Sequence, residues 1–334
     1  MDSTLAQTWI GIDVSKDKLD CCLLRASGKP IYDIFTNDQD GHSKLLQWAR
    51  KQSTNRVVHF CMEATGTYHL SFATYLAFAG ELVSVVNPTK IKYSTDEGSK
   101  NQDDRACALK IASFARLHHP DAWECPSDEK RLLHELSRFH VTLIKELAKC
   151  DTRLKTPELV PQVRQLLEES RQLLTKQIAD IEKQINDHID KNGDLKDDID
   201  LVESIPGIGK PTAQRIIAEM PIFVPKQNGS SFAAYAGLAP RVRQSGSSIR
   251  RTTHLSKCGN SRLRAALYWP AITAIKCNEV IKTFAKRLAE KGKSKMSIIG
   301  AVMRKLLILA YGVLKTRQPF DCQFKNNKTF AAIS

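Results

Sequence analysis

The sequence predicts an α/β protein: a mixed-sheet N-terminal domain, a helical coiled-coil arm and a mainly helical C-terminal domain. Three observations predict it. Short apolar runs alternate with amphipathic helical stretches as far as residue 117. Charged helical sequence with a regular apolar stripe then fills residues 127–199. Beyond residue 200 the charge turns strongly positive and glycine turns interrupt short helices.

The elements follow in order. Residues 9–14 (WIGIDV) and 19–24 (LDCCLL) read as strands joined by the polar turn 15–18. A third strand, 31–35, follows the turn Gly28–Lys29–Pro30, and an amphipathic helix spans 42–50. Strand 57–62, helix 68–79 and strand 82–86 alternate up to Asn87–Pro88, and a last helix runs from Asp103 to about Leu117. Three strands followed by alternating helix and strand make a mixed sheet, in the element order of an RNase H-like domain. In the arm, Leu167, Leu174, Ile178, Ile181, Ile185 and Ile189 form one apolar stripe. Pro157 and Pro161 separate it from the preceding helix, so two arms joined by a turn are expected. The partner of the stripe, in this chain or another, is open at this level. Helices are also expected over 271–288 and 294–314. The expected domain boundaries are 1–126, 127–199 and 200–320, with a polar tail at 321–334.

Composition narrows the function. At 334 residues the chain has room for two or three cores, and 42% hydrophobic residues suit a folded protein. The apolar run Leu306–Leu309 lies between Arg304, Lys305 and Lys315, too short a run for a membrane span. The N-terminus does not read as a secretory signal. None of the nine cysteines forms a CxxC, so zinc is not expected and reduced thiols are. Residues 201–320 hold 21 Lys and Arg against four acids, Glu203, Glu219, Glu279 and Glu290. That +17, within a whole-chain charge of +14, is an electrostatic footprint for nucleic acid.

Two acids stand at strand ends, Asp13 in GIDV and Glu63 after VVHFCM, while Asp103 and Asp104 open a helix. Singly, such acids are often caps or solvated turn residues. Together they can converge at one sheet edge, as hard divalent cations used in phosphodiester chemistry require. The strings GIDVSKDKLD, EATGTYH and DRACALKIA resemble the three acidic motifs of the DEDD insertion-sequence transposases, the IS-one-ten family. The resemblance implies a RuvC-like domain binding Mg²⁺ (or Mn²⁺) through Asp13, Glu63 and Asp104. Cys107 occupies the expected fourth ligand position, and a neutral thiol there supplies no hard oxygen. Weakened metal binding is therefore expected.

In the basic part, IPGIGKPTA (205–213) reads as a helix-hairpin-helix turn, whose glycines and Lys210 suit phosphate contact, or as a plain connection. FAAYAGLAPRVRQSGSSIRRTTHLSKCGNSRLRAAL carries motifs similar to the same family's C-terminal domain. There the resemblance implies Ser245 as the nucleophile that forms a phosphoserine link to DNA. Arg241, Arg243, Arg250 and Arg251 are close in sequence to stabilise the charge, with Lys257, Arg262 and Arg264 contacting backbone and Asn260 a cap. The resemblance further implies donor and target DNA, a structured guide (bridge) RNA, and a homo-oligomer, dimer or tetramer, in which one protomer's acids meet another's serine. It implies a bacterial cytoplasmic, nucleoid-associated protein. Two rival readings stand beside it: a metal-dependent nuclease resembling a Holliday-junction resolvase, and a non-catalytic DNA-binding protein.

Overall fold

The computed structural model describes residues 8–25, 29–53, 57–64, 67–94, 103–220, 228–241, 244–245, 249–250 and 254–322, with backbone alone at 89, 93–94, 244–245 and 249–250. Arg243 and Arg251 lie outside the described residues. The chain divides into two compact units, 1–125 and 126–334.

The first unit is a five-stranded sheet. Its strands are β1 (Thr8–Val14), β2 (Lys18–Arg25), β3 (Ile31–Thr36), β4 (Val58–Glu63) and β5 (Leu82–Val86), in the order β3-β2-β1-β4-β5. β1 pairs antiparallel with β2 and parallel with β4, and β4 pairs parallel with β5. β1, β2 and β4 are buried along nearly their whole length, so their sequences read as continuous apolar runs rather than alternating ones. The cause is helices on both faces. α1 (Gln39–Ser53) and α2 (His69–Phe78) cover one face over a core that includes Ile10, Ile12, Leu45, Phe60 and Phe72. α4 (Asp104–His118) covers the other, packing Ala108 and Ala112 on Cys22 and Leu24, and Ile111 and Phe114 near Trp9 and Cys61. Between β5 and α4 lies a short helix, α3 (Pro88–Ser94), where only the turn Asn87–Pro88 is expected from sequence. Proline suits a first helical position because its missing N–H has no intrahelical acceptor to lose.

Gly11 sets the distance between β1 and α4. A Cβ there would lie 2.2 Å from the carbonyl oxygen of Ala108 and 2.2 Å from the nitrogen of Ala112. Only glycine lets helix backbone approach strand backbone so closely.

The second unit opens with a helical hairpin of α5 (Asp128–Leu154) and α6 (Pro161–Lys191). The pair is antiparallel, with bonds from Arg171 to Asp151, His140 to Glu182, and His188 to the carbonyl of Glu129. The apolar stripe of α6 faces α5 of the same chain. Ile181, Ile185 and Ile189 join Leu133 and Leu143 in a core that continues through the rest of the unit.

Helices α7 (Gly193–Glu203), α8 (Lys210–Glu219) and α9 (Gly229–Tyr235) follow. Two small ladders come next: β6 (Pro240–Arg241) with β9 (His254–Leu255), and β7 (Gln244–Ser245) with β8 (Ile249–Arg250). α10 (Ser261–Ala266), α11 (Tyr268–Cys277), α12 (Glu279–Glu290) and α13 (Lys295–Thr316) close the unit. The single helix expected over 271–288 is corrected to two. Buried Asn278 ends α11 and caps α12, its Oδ1 accepting from Val280 and Ile281, while its amide donates to the carbonyl of Pro206. α13 is long and apolar enough to cross a membrane, but Val302, Leu306, Leu307 and Ala310 are fully buried in the core.

Candidate functional site

Asp13, next to last in β1, and Glu63, last in β4, stand near the ends of adjacent parallel strands: the ladder pairs Ile12 with Met62, one residue short of both acids. α4 brings the third acid. Because Ala108 lies over Gly11, Asp104, one turn nearer the N-terminus, projects over the strand ends. Cys107 stands on the same side of α4 as Asp104, three residues on. Asp103 faces elsewhere; it caps the helix, accepting from the amide of Ala106 at 2.7 Å.

Two further residues complete this cluster, and neither stands out in the sequence. Asp20 is directly opposite Asp13 across the β1–β2 ladder and is buried. Like charges in such a pair repel, and Lys18 offsets this, its ammonium lying 3.0 Å from Asp20 Oδ2 and 2.5 Å from Asp104 Oδ2. The signal was present in the register, since a hairpin with the turn 15–18 pairs 14 with 19 and so places residue 20 opposite 13. Burial, then the negative charge of Asp104, Glu63 and Asp20, raises the Asp13 pKa to about 6 against the pull of Lys18. The same surroundings push the Cys107 thiol up, burial first and Asp13 next, so it is neutral at pH 7.

This donor set has the chemistry of a divalent-cation site: hard carboxylate oxygens whose mutual repulsion a cation would relieve. Among the described residues, no three His, Cys, Asp or Glu side chains are gathered closely enough to grip an ion. Asp104 instead turns to Lys18.

In the second unit, Ser245 lies in β7, its backbone paired with Ile249 of β8. In sequence β7 and β8 fall between β6 and β9, which pair with each other. The segments 235–241 and 254–264, which bracket β7 and β8 in sequence, are laced together. Lys257 N–H donates to Gly237 O at 3.1 Å, Ser256 N–H to Ala239 O at 2.9 Å and Asn260 N–H to Tyr235 O at 2.7 Å. Gly259, at φ 137°, fits only without a side chain, since a Cβ would lie 2.3 Å from the Tyr235 carbonyl oxygen. Asn260 caps α10, accepting from Arg262 and Leu263.

The basic side chains divide by role. Arg241, Lys257 and Arg262 are exposed on these segments. Arg264 is half-buried, and its Nη1 donates to the carbonyls of Ala236 and Lys257, bracing them from within. Lys210 is exposed at the start of α8, about 14 Å of helix from the Glu219 end. In the turn before it, Gly207 has φ 104° and a Cβ there would lie 2.6 Å from the Cβ of Ala274, so its smallness serves packing.

Glu219 is missed by sequence reasoning, which counts it only among four acids in a basic segment. It is 6% exposed and hydrogen-bonded to Arg138 and Asn260, with His134 Nε2 3.9 Å away.

A five-stranded RNase H-like sheet with acids at two adjacent strand ends, followed by a helical unit rich in Lys and Arg, defines an enzyme of the transposase and recombinase class. Residues 10–163 match a DEDD transposase family of the IS110 type, and residues 199–286 match the Transposase IS116/IS110/IS902 family. The chain is 32% identical to the pilin gene-inverting protein of Moraxella bovis over 320 residues, 95% of this chain and 98% of the relative. It is 31% identical to that of Moraxella lacunata over the same shares. A probable family 20 transposase of Pseudomonas aeruginosa is 32% identical over 111 residues, covering 33% of this chain and 31% of the relative. The chain belongs to the IS110 family of transposases, and its substrate is DNA.

Proposed function

We propose that the protein cuts and rejoins DNA through a covalent link at Ser245, inverting or moving a defined segment under the guidance of a structured RNA. The full-length similarity to the Moraxella pilin gene-inverting proteins carries the inversion reading. The matched motif order and the +17 charge of residues 201–320 support the serine and the nucleic-acid partners. In this reading Ser245 Oγ forms a bond to phosphorus, a bridging P–O bond to deoxyribose breaks, and the leaving hydroxyl takes up a proton. The reverse exchange with a second strand end rejoins the DNA and frees the serine.

Arg241, Lys257 and Arg262 hold the backbone phosphates, with Arg243, Arg250 and Arg251 of the same segment assigned to the charge that builds up on phosphorus. Asp13, Glu63 and Asp104 would hold a divalent cation, which supplies positive charge to phosphate oxygens. Neutral Cys107 leaves that site one oxygen short. The work is assigned to a metal-binding domain over 1–126, an arm over 127–199 and a transposase domain over 200–320, acting as a homo-oligomer on the nucleoid.

The test incubates the protein with duplexes copying the DNA that flanks its gene, the RNA transcribed from that flank, and Mg²⁺. A denaturation-resistant protein–DNA adduct, abolished in Ser245→Ala, is expected. Metal-dependent cleavage without an adduct makes the protein a nuclease, and binding without cleavage makes it a DNA-binding protein; either overturns the proposal.

A further inference from the structure

Glu219 closes α8 with its carboxylate buried, in the most basic stretch of the chain. Burial pushes its pKa up, but hydrogen bonds from Asn260 and Arg138 and the charge of Arg138 outweigh it, so the net shift is downward and the group is ionised. A buried carboxylate persists only where its oxygens are taken. Here two neighbours take them from different elements. Arg138 of α5 approaches with two prongs, Nε to Oε1 at 3.3 Å and Nη2 to Oε2 at 3.4 Å. Asn260 donates to Oε2 at 2.7 Å. The geometry uses the planar fork of arginine, which a lysine ammonium does not reproduce.

Asn260 is also the knot at the root of the serine hairpin. Its Oδ1 caps α10, its backbone N–H holds the end of α9 through Tyr235, and its side-chain amide reaches the Tyr235 hydroxyl at 3.4 Å. Directly above this knot, β6 and β9 leave as a pair. Arg241, the last residue of β6, is four positions from Ser245. The chain of bonds thus runs from the α5–α6 arm through one carboxylate to the paired segments that flank Ser245 in sequence.

We propose that Glu219 is a positioning residue for the DNA-joining reaction, its carboxylate tying Arg138 of the arm to Asn260 at the root of the hairpin that carries Ser245. The proposal rests on the Ser245 reading above. A shift of the arm is passed to the hairpin root through these bonds, without any contact between Glu219 and DNA. Arg262, whose side chain is exposed beside the knot, is free for phosphate while its backbone N–H is held by Asn260.

The test compares the full chain with Glu219→Gln, Asn260→Ser and Arg138→Lys. Glutamine sets a donor against the Arg138 donors, serine keeps a capping oxygen but is too short to reach Glu219, and lysine keeps the charge without the fork. Two readouts are taken: amide hydrogen exchange over residues 235–241 and 254–264, and the single-turnover rate of adduct formation on the flank-derived duplexes and RNA. At least tenfold faster exchange in these two segments is expected, with the remaining helices unchanged. Adduct formation is expected to slow at least tenfold at saturating DNA, with DNA affinity held within twofold. Wild-type exchange and rate in the three variants would overturn the proposal. If Glu219→Gln fails to fold, the half-exposed Arg138→Lys decides by the same readouts. If wild-type protein gives no adduct, the Ser245 reading fails and this proposal with it, whereas wild-type adduct with unaffected variants sinks the clamp alone.

Discussion

Lys18 Nζ lies 2.5 Å from Asp104 Oδ2, joining the foot of β2 to the head of α4 across 86 positions of sequence. The same ammonium reaches Asp20 at 3.0 Å, and the hydrogen bonds it donates to Asp104 and Asp20 raise its pKa to about 12. One lysine therefore holds two carboxylates of a cluster in which Asp13 is already pressed toward neutrality. It also competes with any cation for Asp104.

Removing that competitor has a defined consequence. Lys18→Met is expected to bind Mn²⁺ severalfold more tightly than wild type in calorimetric titration at constant ionic strength. Weaker binding would show instead that Lys18 orients Asp104 for the ion.

Cys107→Asp adds the missing oxygen ligand on the same side of α4 as Asp104. Changes around a metal site commonly shift affinity about 10–100-fold, so Mg²⁺ is expected to bind at least about tenfold more tightly. Without metal the variant is expected to melt lower, because a fourth carboxylate joins a cluster that already repels itself. Unchanged affinity in Cys107→Asp would remove the thiol as the cause of weak binding.

Gly11→Ala tests how the acids are brought together. The added methyl meets α4 backbone at 2.2 Å, and helix backbone cannot yield as a side-chain tip can. Overpacking of this kind costs about 1–3 kcal/mol or more. A lower melting temperature is expected, together with loss of metal binding, since lifting α4 carries Asp104 away from Asp13. A variant with wild-type stability would mean that the two backbones are not in contact.

His59 makes the first unit sensitive to acid. Burial, then the neighbouring His119, pushes its pKa down from 6.5 to about 4. Ser84 has one hydroxyl proton, with the carbonyls of Asp121 at 2.7 Å and Pro120 at 3.0 Å to receive it, so at the 2.7 Å contact His59 Nε2 donates. As pH falls below 6.5 the unfolded chain takes up a proton that the folded chain refuses until about 4. Stability is therefore full above 6.5 and falls by about 3 kcal/mol down to pH 4. Urea midpoints at pH 7 and 4.5 measure the loss, and His59→Gln is expected to flatten it.

Much of the fold was legible from local pattern. The five strands and α1, α2 and α4 of the first unit lie within a few residues of the spans that apolar runs and turn residues predict. The misses have local causes. Asn278 reads as one residue in a helical stretch until its side chain is seen capping the next helix. The two-residue ladders around Ser245 are too short for any period to show. In the site, strand ends pointed to Asp13 and Glu63, but Glu219 carried no pattern, because its meaning depends on Arg138, 81 residues away.

By itself the sequence determined the order of the elements, the placement of acids at strand ends, the concentration of positive charge after residue 200 and the family motifs. These are properties of neighbours along the chain: periodicity, turn chemistry and composition. Only the tertiary structure decided that Lys18 spans Asp20 and Asp104, that the α6 stripe packs on α5, and that Glu219 links the arm to the root of the serine hairpin. Those are pairings between distant segments. A charge or an apolar face accepts many partners, and the packing of the whole unit selects one.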